Sequence, residues 1–100
     1  MKAGYARCST NESRQDIERQ VRELKQAGAE TVYLEYEHGD AAVKEQLSLL
    51  LEQAQAGDTI ITLEVSRLAR STKQLCEIIE AISRKQLCLF GKKQSRKAVN

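Results

Sequence analysis

Three arginines and one serine carry the chemistry this sequence can do. Arg7 and Ser9 close the run "GYARCST", and Arg67 and Arg70 stand three positions apart in "SRLARS". A guanidinium at the end of a buried strand is costly unless an anion meets it. Its planar fork matches the oxygens of a phosphate two at a time. The expected anion is therefore a phosphate, and the serine beside it is a candidate nucleophile. In-line attack on a phosphodiester needs an activated hydroxyl, charge stabilisation on the non-bridging oxygens and help for the departing oxygen. Clustered guanidiniums supply the second need and favour the alkoxide form of Ser9. On this scheme magnesium is dispensable, no carboxylate set resembles a metal cradle, and no cofactor is expected. Serine attack replaces one phosphate ester by another of similar energy, which suits exchange of ester bonds better than hydrolysis.

These residues need a scaffold that gathers them, and strand-like and helix-like segments alternate along the chain. "KAGYARC" reads as a strand. "ESRQDIERQVRELKQAG" places Ile17, Val21, Leu24 and Ala27 at helical spacing. Ser13 with Asp16 makes a capping box there, and Gly28 is a C-terminal stop. "TVYLEYE" is β-branched and aromatic, a second strand. Asp40 can cap "AAVKEQLSLLLEQAQAG", a helix that Gly57 ends. "DTIITLEV" is the most strand-like run and is expected at the centre of a sheet. Ser71 and Gln74 open a third helix with Leu75, Ile78, Ile79 and Ile82 along its buried stripe, and "QLCLF" is a fourth strand. Helical crossovers of this length predict an α/β fold, a mainly parallel four-stranded sheet flanked by helices in three layers.

Open parallel sheets bind ligands outside the carboxyl ends of their strands, where the strand order reverses. Arg7 and Ser9 end the first strand, Glu35, Glu37 and His38 the second, and Arg67 with Arg70 follow the third. A helical turn in "SRLARS" would put both guanidiniums on one side.

One hundred residues make one domain, and 41% hydrophobic with 30% charged residues fits a globular chain with its own core. A net charge of +2 is too small to argue nucleic-acid binding by itself. Cys8, Cys76 and Cys88 are widely spaced and outside any metal-ligand pattern, and are expected as reduced, mostly buried thiols. No apolar run approaches membrane-spanning length and "MKAGYARCST" has no signal-peptide core. A cytoplasmic chain with no membrane partner is expected.

"YARCST", "EHGDAAVKEQL" and "AGDTIITLEVSRLARS", with the spacing between them, closely resemble the catalytic domain of the serine recombinases, the resolvase/invertase group. The resemblance covers the chain to about Phe90 and implies a flavodoxin-like catalytic domain over residues 1–90, incomplete at its C-terminal side, followed by a basic tail, 91–100. It implies site-specific DNA recombination, with double-stranded DNA as partner and self-association as dimer or tetramer in the intact protein. In that family the first-strand serine attacks DNA and becomes linked to its 5′ phosphate. Ser9 holds that position, Arg7 that of the neighbouring arginine, and Arg67 and Arg70 those of the pair after the third strand. Gln15 and Gln20 fit the glutamines flanking the first helix if two extra residues are allowed in the preceding loop. Glu35 sits where the family often has aspartate. Two positions depart from the pattern: the arginine after the second strand falls on Lys44, which keeps the charge but loses the fork, and the aspartate before the third-strand arginines falls on Ser66.

Plainer readings stand beside these. Alone, Ser9 is an ordinary turn or cap residue. Strand neighbours face opposite ways, so Cys8 cannot share a site with Ser9 and is expected in the core. His38 is a lone loop histidine. Glu35 and Glu37 read as surface charges of an edge strand, with Glu35 able to orient an arginine. Lys92, Lys93, Arg96 and Lys97 read as a solvated tail, with non-specific DNA contact as the alternative. Two further function classes remain: a catalytically silent assembly module with the same fold, and a small phosphate-binding domain of phosphatase or receiver type. The second is disfavoured by the lack of an acidic triad or a Cys-x5-Arg loop.

Overall fold

Ala3, Tyr5 and Ala6 are buried on alternate sides of one strand, which requires apolar cover on both its faces. That strand, β1 (Lys2–Cys8), lies inside a five-stranded sheet. The computed structural model describes residues 1–8, 13–36, 45–69, 71–91 and 96–99, with side chains described except at 45, 66, 67 and 96–99. β1 pairs in parallel with β2 (Thr31–Tyr36) on one side and β3 (Thr59–Thr62) on the other. β3 pairs in parallel with β4 (Cys88–Gly91), and β5 (Arg96–Val99) runs antiparallel to β4. The order β2-β1-β3-β4-β5 is that of flavodoxin-like doubly wound folds, with the switch point between β1 and β3.

Three helices make the crossovers: α1 (Arg14–Gln26), α2 (Glu45–Gln53) and α3 (Thr72–Arg84). α1 covers one sheet face, where Leu24 and Ala29 pack with Ala6, Ile61 and Leu63. α2 and α3 cover the other, where Leu47, Leu50 and Ile82 pack with Tyr5, Ile60 and Leu89. Among the described residues no helix is long and apolar enough to cross a membrane.

The helix ends follow the local chemistry of the sequence. Ser13 Oγ accepts from the Asp16 N–H at 3.1 Å, and Ser71 Oγ from the Gln74 N–H at 3.2 Å. Gly28, with φ of +113°, ends α1. Its N–H reaches the Lys25 carbonyl while the Ala29 N–H reaches that of Leu24, a Schellman pair.

Several sequence expectations are corrected. The four expected parallel strands are joined by a fifth, antiparallel one, because the backbone of Arg96–Val99 pairs with β4. "DTIITLEV" is a strand only to Thr62; Val65–Leu68 is a 3₁₀ turn, whose apolar residues are buried without continuing the ladder. α2 is described from Glu45 to Gln53, short of Gly57, and Asp40 lies outside the described residues. Of the three thiols only Cys8 is buried; Cys88 is half-buried and Cys76 is exposed on the outer side of α3. Of the α1 stripe only Leu24 is fully covered, with Ile17 and Val21 half-buried.

Candidate active site

The candidate site is built on the carboxyl ends of β1 and β3, beside the switch point. Arg7 is the penultimate residue of β1 and is half-buried. Strand alternation puts it on the side of Tyr5, the face covered by α2 and α3. Cys8 turns the other way and is fully buried, as core packing requires.

After β3, Thr62 Oγ1 donates to the Glu64 carbonyl at 3.2 Å, and the chain enters the 3₁₀ turn that contains Arg67. Val65 and Leu68 are buried and pin this turn, which packs against β1, β3 and α3. The backbone bearing Arg67 thus stands next to the strand bearing Arg7. The turn ends at Leu68, and Ala69 is extended at φ −149°, ψ 161°; Arg70 lies outside the described residues. α3 begins only at Thr72, so the arginine pair precedes that helix rather than forming its first turn.

Glu35 is the register partner of Arg7 across the β1–β2 ladder. β2 is an edge strand, as expected, but Glu35 is no plain surface charge. Its Oε1 accepts from the backbone N–H groups of Gln46 at 3.0 Å and Leu47 at 3.1 Å, and from the Tyr5 hydroxyl at 3.4 Å. Tyr5 itself is 0% exposed. Its hydroxyl role was not among the sequence expectations, although a tyrosine inside a buried strand must find a partner for its O–H.

The remaining residues divide clearly. Gln15 is exposed in the first turn of α1. Gln20 is only 8% exposed and lies on the buried side of α1, one turn before Leu24. Ser9, Lys44, Arg70, Glu37 and His38 lie outside the described residues, as does the side chain of Arg67. The structure therefore brings together Arg7, Glu35, Tyr5 and the Arg67 turn.

A family model described as the Resolvase, N terminal domain, matches residues 2–98. A protein named resolvase from Clostridium perfringens is 39% identical over 87 residues, 85% of this chain and 45% of that one. The transposon Tn1546 resolvase of Enterococcus faecium is 33% identical over 94 residues, 94% of this chain and 48% of that protein. The chain spans about half the length of these relatives. Among solved structures, the C-terminal catalytic domain of ISC1926 TnpA, an IS607-like serine recombinase, matches with a TM-score of 0.73 at 19% identity, covering 91% of this chain and 66% of that one. That likeness is one of fold. With the sheet order of a doubly wound domain and a family match over nearly every residue, the chain belongs to the resolvase N-terminal domain family.

Proposed function

We infer that this domain cleaves and rejoins double-stranded DNA in site-specific recombination, with Ser9 as nucleophile. The observation that carries the reading is the meeting of two separate strand ends: β1 with Arg7, and the turn with Arg67 packed against it. Ser9 follows β1 directly in sequence and Arg70 follows the turn. Family membership and relatives named resolvase and DNA-invertase support it.

In the proposed reaction the Ser9 oxygen attacks the scissile phosphorus. The bond to the 3′ oxygen of the leaving strand breaks, the serine proton is released, and the departing oxygen takes up a proton. A 5′-phosphoserine link remains, and the reverse attack by a 3′ hydroxyl reseals the strand. Arg7, Arg67 and Arg70 hold the non-bridging oxygens, where charge grows in the transition state. Lys44 adds a point charge, and Gln15 and Gln20 serve as neutral supports. The catalytic unit is residues 1–90, and the basic segment 91–100, whose Arg96–Val99 joins the sheet edge as β5, adds sequence-independent phosphate contacts. Self-association into a dimer or tetramer is part of the same reading.

A second reading is favoured by two residues. Lys44 and Ser66 replace the arginine and aspartate of the family pattern, which suits an assembly module without catalysis. Incubation with nicked suicide duplexes of randomised sequence separates the two. The recombinase reading expects a protein–DNA adduct on a denaturing gel, and its loss in Ser9→Ala. No adduct, or one that survives Ser9→Ala, removes the nucleophile and leaves the assembly reading.

A further inference from the structure

Three hydrogen bonds from two other elements meet on a single oxygen of β2. Glu35 Oε1 takes the N–H groups of Gln46 and Leu47 from α2 and the hydroxyl of Tyr5 from β1. Those N–H groups belong to the second and third residues of α2, and no helix can satisfy them internally. A cap normally comes from the residue just before the helix. The carboxylate here reaches across from the neighbouring strand, 11 and 12 positions upstream. Negative charge at the positive end of α2 is favourable in itself.

A carboxylate at this place would repel a phosphate. It also occupies the helix N–H groups that could otherwise have bound one. Glu35 therefore has a different task from the arginines. We propose that Glu35 and Tyr5 form a positioning clasp. It fixes the amino end of α2 against the β1 end that carries Arg7. The clasp's bearing on catalysis rests on the recombinase reading above; the clasp itself does not.

Amide hydrogen exchange on the 100-residue chain tests it, with Leu24 in α1 and Ile82 in α3 as references. In Glu35→Ala, Gln46 and Leu47 are expected to exchange about tenfold faster or more, with both references unchanged. Glu35→Gln keeps the shape and one acceptor and loses the charge, so a roughly threefold effect is expected there. It is the deciding variant if Glu35→Ala does not fold. Wild-type exchange at both amides in folded Glu35→Gln overturns the clasp. On the nicked duplexes, Glu35→Gln should slow adduct formation at saturating DNA by about tenfold, with the half-saturating concentration unchanged. Weaker DNA binding with an unchanged saturating rate would make Glu35 a binding residue and overturn the positioning role. A wild-type chain that forms no adduct refutes the recombinase reading alone, and the exchange result still decides the clasp.

Discussion

Arg7 places a permanent charge where an interior strand would otherwise end in an apolar side chain. Its position was legible because a buried run that closes on a guanidinium and a hydroxyl has few purely structural uses. The partner groups were legible only in part. Tyr5 looks like any packing aromatic in the sequence. Its role depends on β2 and α2 meeting it, which no spacing rule along one segment reveals. Lys44 carries a prediction at this scale. Its ammonium offers a point charge where a fork would grip two oxygens. If it contacts the scissile phosphate, Lys44→Arg should raise the rate of adduct formation by about tenfold, read by single-turnover gel assay. An unchanged rate would show that Lys44 does not touch the reacting phosphate.

The ends of elements are legible in the sequence where their signal is local and less so where it comes from across the fold. Ser13, Gly28 and Ser71 act as the caps and stop that their positions imply. α2 is different, because Glu35 of a neighbouring strand accepts from the N–H groups of Gln46 and Leu47 in its first turn. The early end of β3 has a similar cause. Leu63 and Val65 are as buried as strand residues, and an apolar run alone does not distinguish a strand from a buried turn. The packing of α1 on β1 yields the prediction here. A Cβ on Gly4 would lie 3.1 Å from Ala29 Cβ and 3.2 Å from Leu24 Cβ. Both are fixed by their own backbone and cannot rotate away. Gly4→Ala should therefore destabilise the domain by about 1–3 kcal/mol in urea denaturation. An unchanged midpoint would mean that α1 can shift outward freely.

At the scale of the whole molecule, alternating strands and helices predicted a parallel α/β sheet, and four parallel strands form it. The fifth strand was not foreseen, since Arg96–Val99 has no alternating pattern and its pairing is set by the open edge of β4. Basic residues suit such an edge, because they discourage further strand addition. At the amino ends of the strands, away from the candidate site, the Met1 ammonium donates to Asp58 Oδ1 at 2.8 Å. The Gln55 N–H and then this ammonium hold the Asp58 carboxyl below the usual carboxylate range. The hydrogen bond to Asp58 in turn raises the terminal amine above its ordinary value. The Asp58 contribution is present above the ordinary carboxylate value and lost as pH falls through its lowered one. The amine contribution is present below its ordinary value and lost as pH rises through its raised one. The urea midpoint should thus form a plateau that declines on both flanks, and Asp58→Asn should flatten both. Identical profiles for the two proteins would show that the pair does not couple to folding.

The measurement that bears most directly on the central claim is the identity of the residue linked to DNA. The adduct formed on nicked duplexes is digested and the nucleotide-bearing peptide sequenced by mass spectrometry. A 5′-phosphonucleotide is expected on Ser9, between the Arg7 and Arg14 that bracket it in sequence. A link at any other hydroxyl, or at Cys8, would contradict it.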